Sequence, residues 1–373
     1  MTGMVKTSKE KEQLNLLLEE AALSGREAAG RYPGRRFFGY FCSYWPEELV
    51  LAAGLEPLRM LPASSRGAPA ALPVYCCSLA KDTLSLAAEG KFNNLAGVGF
   101  AHTCDTMQCL GGIWGETAGQ AVTLVLVPPV RLDAPGALAY FKAELAALLQ
   151  RLAGLTGHQP GGEDLHRALA LCEHIRRLAA RLDEMRSLLP SPLVAALLRA
   201  GQVMPRADFA RALETALPAL QEQAADPGDK RRVLVSGAVL ENDDLFRSIE
   251  ELGGRVVADD TCTGYRHFTG SYAGGKDDPL AAIARRYIAM PPCPCRHRGL
   301  DARPDHLEKL ARARQAHGVI LVTRKYCEPH AWDAVPLSQR LRGAGLHVLV
   351  LELEGAEIGG QERTRLQAFL ESF

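Results

Sequence analysis

FFGYFCSYWPEELVLAAG, Phe37 to Gly54, is an apolar run, then a cysteine, then a segment whose apolar positions recur at helical spacing. Phe37–Phe41 predicts a buried strand and Pro46–Ala53 the helix that follows it, with Pro46 suited to a helix start. The same event recurs outward. Val74–Cys76, Val98–Ala101 and Val122–Val127 read as strands, followed by helices at Leu79–Ala88, Asp105–Trp114 and Pro135–Leu152. That alternation marks a parallel sheet covered by helices. From about Gly161 to Ala225 only helix periodicity is found, at His166–Leu188, Pro192–Ala200 and Ala207–Ala224. Strands then return at Arg232–Ser236, Arg255–Ala258, Gly318–Thr323 and His347–Leu353. Helices at Asp243–Leu252, Asp278–Ala289, Pro304–His317, Asp333–Arg342 and Gln361–Phe373 accompany them, and a helical stripe from Lys9 to about Arg31 precedes everything. The expected architecture is α/β, with two doubly wound parallel-sheet domains (Rossmann or flavodoxin-like) at 33–155 and 231–373. An N-terminal helix at 1–32 and a helical segment at 156–230 complete it.

The chain has 373 residues, enough for two domains. Lys plus Arg and Asp plus Glu are 43 each, so the net charge is zero. A balanced chain lacks the footprint of a nucleic-acid binder or an anionic-membrane binder. Met1 to Gln13 holds no apolar stretch of signal-peptide type. The most apolar segment, Ala121 to Val130, has two prolines and is too short to span a bilayer. The expected compartment is the cytosol. There, ten cysteines in a chain of this length are buried, metal-binding or catalytic rather than paired in disulfides.

Six of the ten sit at the carboxyl ends of predicted strands: Cys42, Cys76, Cys77, Cys104, Cys262 and Cys327. Ligands of open parallel sheets bind at that edge, and a cysteine just before a helix feels the positive end of its dipole. No C-x-x-C, ferredoxin or H-E-x-x-H motif is present. Any metal site is therefore assembled from distant loops. Three thiolates on an iron–sulfur cube would leave one iron open to act as a Lewis acid and pass single electrons.

Six segments together resemble the 2-hydroxyacyl-CoA dehydratase and benzoyl-CoA reductase D-component family. They are Cys42–Leu49 followed by Ala52–Gly54, Cys77–Lys81, His102–Gln108, Asp259–Arg266, Lys325–His330 and the tail from Gly360 through Arg365 to Glu371. They stand in family order over some 330 residues. The resemblance implies a 4Fe-4S cluster on Cys77, Cys104 and Cys327. Ser-Leu-Ala-Lys after the second cysteine of Cys76-Cys77 selects Cys77. Cys109 stands where relatives carry a basic residue, and the stretch around Cys172 lacks an Asn common in the family. The implied reaction removes water from an (R)-2-hydroxyacyl-CoA. Its C3 proton is not acidic, so one electron first converts the thioester carbonyl into a ketyl radical, and that electron is regenerated at the end. The implied partners are a homologous second subunit or a second copy, an ATP-dependent iron–sulfur activator and the acyl-CoA. Two alternatives stay open. One is an acyl-CoA reductase carrying a double cubane cluster, for which Cys42, Cys109, Cys262, Cys293 and Cys295 offer extra thiols. The other is a non-catalytic subunit that relays electrons or holds structural zinc.

Further candidates have two readings each. Ser43, Glu47 and Glu48 follow Cys42; they suit acid–base or substrate contacts, or else a helix cap and first-turn acids. Glu328 and His330 flank Cys327 and could hydrogen-bond the cluster or relay protons. Arg266 and Arg365 could meet a CoA phosphate or form ion pairs. Cys293 and Cys295 form a C-x-C on a proline-rich loop. Gly270, Gly275 and Lys276 fit G-x-x-x-x-G-K, but Asp277 replaces the magnesium-binding hydroxyl, so the match is read as coincidence and ATP is assigned to a partner.

Overall fold

The computed structural model describes residues 2–23, 25–62, 71–118, 122–226, 228–270, 272 and 278–373. Helices α1 (Thr2–Ala21) and α2 (Gly25–Arg31) open the chain. Then come β1 (Phe37–Tyr40), α3 (Glu47–Ala52), β2 (Glu56–Arg59), α4 (Ser78–Ala88), β3 (Gly97–Ala101), α5 (Asp105–Ala118), β4 (Thr123–Leu126) and α6 (Ala137–Thr156). Helices α7 (Gly162–Glu184), α8 (Ser191–Val203) and α9 (Arg206–Gln223) follow without a strand. The last part runs β5 (Arg231–Gly237), α10 (Asp244–Glu251), β6 (Gly254–Thr261), α11 (Pro279–Ala289) and α12 (Ala302–Ala313). It closes with β7 (Gly318–Arg324), α13 (Glu328–Gly343), β8 (His347–Leu353) and α14 (Gly360–Leu370).

Two all-parallel sheets result, in the orders β2-β1-β3-β4 and β6-β5-β7-β8. The expected α/β class with two doubly wound sheets is what the structure has. Both sheets follow one plan, in which the first strand of each set has its second on one side and its third on the other. That reversal is the switch point at which strand-end loops part and make room for a ligand.

Three details differ from the sequence reading. Val74–Cys76 is not a strand but part of a turn leading into α4, with Val74 and Tyr75 75% and 66% exposed. Pro73 and the missing strand partner explain why apolar residues there do not pair. The strand taking that place in the sheet is β2, Glu-Pro-Leu-Arg, whose proline is tolerated because β2 is an edge strand pairing only with β1. The single N-terminal stripe is two helices. Helix α13 starts five residues before the expected Asp333, immediately after Cys327, with Pro329 in its first turn.

Each sheet is packed on both faces. On the first, Phe38 and Trp45 stack with ring centroids 5.6 Å apart on one side, and Phe41, Phe100 and Trp114 cluster on the other. Gly99 permits this: a Cβ there would fall 2.3 Å from the Trp45 ring. Helices α7, α8 and α9 bury Ile175, Leu197 and Leu213 against Leu14 and Leu17 of α1. Helix α11 follows β6 in the chain, yet it packs on α6 and α7, and its Ile283, Ala284 and Tyr287 enter the core that holds Phe38, Trp45 and Phe141.

Candidate metal centre

Sheet topology positions the cysteines. Cys42 leaves β1, Cys104 leaves β3 and enters α5, Cys262 leaves β6, and Cys327 leaves β7 and enters α13. Cys77 precedes α4. Cys77, Cys104 and Cys327 line one cavity of about 310 Å³ between the two sheets, together with Thr103, Cys295, Tyr326 and Trp332. Cys76 does not line it, and lies beside the exposed Cys109.

Cys77 and Cys327 occupy helix N-cap positions without a side-chain cap bond. A Ser or Asp there would serve the helix better, so the thiols are poor caps. Burial pushes all three thiols up, Cys104 to about 11 and Cys327 to about 12. The backbone N–H groups of Ala80, Met107 and His330, each three residues on, pull in the other direction. The helix ends thus favour a thiolate once a metal displaces the proton. Arg324 at the end of β7 donates to Ser78 Oγ at 3.3 Å and ties the Cys327 and Cys77 loops together. His330 Nδ1 is 3.2 Å from Cys327 Sγ. Between them and the strand stands Tyr326, a non-glycine residue at φ 65°.

Among the described residues, no three His, Cys, Asp or Glu side chains converge on one ion. A cube makes a different demand, since its protein ligands bind different irons and must surround a volume. Three soft donors from three loops around a small cavity fit that group.

Adjoining the cavity is a second set of thiols. Cys42, Cys262 and Cys293 are within electrostatic reach of one another, and Cys295 senses Cys293, Cys104 and Cys42. Cys293 and Arg296 pair N–H to carbonyl at 2.9 and 3.1 Å, which folds the C-x-C into a tight turn. A hydrogen bond from Cys295 lowers Cys293 against its burial, with Arg266 and Arg303 helping. Cys172 stands apart, buried mid-way along α7 and pushed up by desolvation.

Residues 42–373 match the sequence profile of a family described as 2-hydroxyglutaryl-CoA dehydratase, D-component. The chain belongs to that family. The match takes in all ten cysteines, and starts at Cys42. The (R)-phenyllactyl-CoA dehydratase beta subunit of Clostridium sporogenes is similar at 22% identity over 349 residues, 91% of this chain and 92% of that one. The lactoyl-CoA dehydratase subunit beta of Anaerotignum propionicum is similar at 24% over 366 residues, 95% and 97% of the two chains. A benzoyl-CoA reductase subunit of Thauera aromatica is similar at 26% over 329 residues, 83% of each.

Other candidate positions of this D-component chain fall away from the cavity. Ser43 is buried, donates to the Cys262 carbonyl at 2.8 Å and accepts from Arg59 at 3.2 Å. Glu47 is held by Arg206, Tyr40 and His267, and Glu48 by Arg176, Tyr272 and Tyr287. Neither carboxylate lines the cavity. Despite burial, the arginines hold Glu47 well below the usual carboxylate range and lower Glu48 too. Glu328 lines the cavity mouth. Arg266 is buried against Asp260, whereas Arg365 is exposed and donates to the Val350 carbonyl at 2.7 Å. Gly275, Lys276 and Asp277 lie outside the described residues. Among the described residues, no helix is long and apolar enough to cross a membrane.

Of the arginines around the thiols, only Arg266 stood out in the sequence; Arg59, Arg296 and Arg303 did not. Arg266 and Arg303 converge on Asp260, which their charges hold low although it is buried. Arg59 and Arg296 both act on Cys42. Arginine is an exposed residue by default, so nothing in the local pattern marks these as interior.

Proposed function

We propose that this chain is the iron–sulfur subunit of a 2-hydroxyacyl-CoA dehydratase, acting on an (R)-2-hydroxyacyl-CoA with a homologous second subunit and an ATP-dependent iron–sulfur activator. Cys77, Cys104 and Cys327 would hold a 4Fe-4S cluster. The supporting observation is the convergence of these thiols, from three loops and at three helix starts, on one cavity between two switch points. A cluster bound there supplies one-electron transfer and a Lewis-acidic iron for a substrate oxygen. The chain's own residues fix the loops: Arg324 joins two of them, and Ser43 braces the loop of Cys42 against that of Cys262. Exposed Tyr326 and Trp332 offer apolar surface to an acyl group at the mouth. Glu47 and Glu48 enter this reading as supports of α3.

A second reading, a double cluster with reductase chemistry, is favoured by the inner thiols, because Cys295 lines the same cavity as the outer three. Iron and acid-labile sulfide per chain after anaerobic purification separate the readings. About four irons support the single cube and about eight the double cluster, while zinc without sulfide overturns both. A change in the reduced protein's EPR signal on adding 2-hydroxyacyl-CoAs assigns the substrate to this subunit. An unchanged signal beside intact iron assigns it to electron relay.

A further inference from the structure

Eleven arginines of the described chain are buried. Nine of them stand within 4 Å of a carboxylate: Arg176, Arg186, Arg199, Arg206, Arg255, Arg266, Arg286, Arg303 and Arg324. Arg59 and Arg296, 0% and 3% exposed, have no carboxylate within that distance among the described residues. Their remaining contacts are neutral. Arg59 donates to Ser43 Oγ and lies over the Tyr40 ring, leaving Nε and Nη2 without a partner. Arg296 donates to the carbonyls of Cys295 and His102, leaving Nε without one. A guanidinium keeps its proton in a protein, so each is a full buried charge that needs an anion. Arg59 holds Ser43, the neighbour of Cys42, which itself donates to the Cys262 carbonyl, and Arg296 holds the Cys295 carbonyl; the charge of both reaches the Cys42 thiol.

We propose that Arg59 and Arg296 are the counter-charges of an anionic iron–sulfur unit carried by the thiols of this cleft. The proposal rests on the cluster reading above. Each thiolate brings one negative charge, so a reduced cube held by three or more thiolates is an anion that a low-dielectric cleft must balance. Fixed positive charge beside it stabilises the reduced form more than the oxidised one. It thus raises the potential and slows loss of the metal. In the metal-free protein the same charge is a burden.

The two states give opposite expectations for Arg59→Met, which keeps the side chain's bulk and removes its charge. Wild type, Arg59→Met and Arg59→Lys are compared metal-free and after anaerobic loading with iron and sulfide. Metal-free Arg59→Met should melt no lower than wild type. Loaded, it should release iron to a chelator at least about tenfold faster, with a more negative midpoint potential. Arg59→Lys should recover part of both. Arg296→Met, which also loses two carbonyl contacts, is read by its midpoint potential alone, and a fall is expected. Equal loss of Tm in both forms, or unchanged release and potential, would overturn the proposal while leaving the cluster intact. Wild type that binds no iron overturns the cluster reading itself.

Discussion

Around α3, two carboxylates are buried and every one of their charges is met by protein: Glu47 by Arg206, with Tyr40 and His267 adding hydrogen bonds, and Glu48 by Arg176 and Arg286. A few residues upstream on the same β1–α3 connection, Cys42 feels the charge of two arginines that no carboxylate of the described residues meets. Both clusters are buried and share Tyr40, which bonds Glu47 and also lies under Arg59. The first is electrostatically closed and its job is to fasten α3 to the helical segment. The second is open in charge and rich in thiols. Balanced ion pairs at a sheet edge point to architecture, whereas unbalanced charge beside soft donors points to a ligand.

The largest expected effect lies in the cavity beside the open cluster. Cys104→Ser or Cys327→Ser should reduce bound iron from about four per chain to background, measured with sulfide on anaerobic protein. Full iron in either variant would break the ligand assignment. Next comes the closed cluster. Arg206→Met strands Glu47 and should cost about 3–5 kcal/mol in denaturant unfolding, while the folded fraction still takes up iron. A cost under about 1 kcal/mol would mean that this cluster is not closed by protein pairs.

Acid should also separate the two regions. His267 is lowered by burial to about 4, so between pH 6.5 and 4 the unfolded chain binds a proton that the folded one does not. Stability then falls on acidification through that window, by up to about 1.4 kcal/mol per pH unit. Glu47, with its folded pKa depressed, contributes stability above its unfolded value and loses it at still lower pH. Tm between pH 7 and 4.5 should drop in wild type and flatten in His267→Phe; equal slopes would remove His267 from the account. The smallest effect belongs to Cys172→Ala, which is away from the thiol-rich cluster and beside Glu48 and Arg176 of the closed one. It should leave iron per chain unchanged and shift stability by about 1 kcal/mol, and loss of iron would extend the metal centre into α7.

Much of the fold was legible because alternation of apolar runs and helical periods is a local signal. Phe37–Tyr40 followed by Glu47–Ala52 shows it directly. The strand Glu56–Arg59 was not, since four residues with a proline and a charge at each end carry no period, and only pairing with β1 makes them a strand. Val74–Cys76 erred in the other direction, apolar in type but with Val74 and Tyr75 left at the surface. Cys77, Cys104 and Cys327, which line one cavity, were singled out by the order of the motifs along the chain, which spacing alone could not supply. The roles of Glu47 and Glu48 were ambiguous in sequence because a first-turn carboxylate looks the same whether it faces water, a substrate or a buried arginine. Arg59 gave no sign at all, for its meaning depends on which carboxylates are absent around it in space.

Helix α11 binds the two halves of the molecule to each other. Residues from beyond the second sheet's first two strands complete the apolar core beside the first sheet, so the chain is laced through itself like a clasp. Severing the molecule between its halves would not yield two soluble pieces, because Phe141 and Trp45 would lose the lid formed by Ile283, Ala284 and Tyr287. The interior beside the first sheet is therefore finished only when chain from the far side of the second has folded back onto it, so the two halves are knitted together as they form.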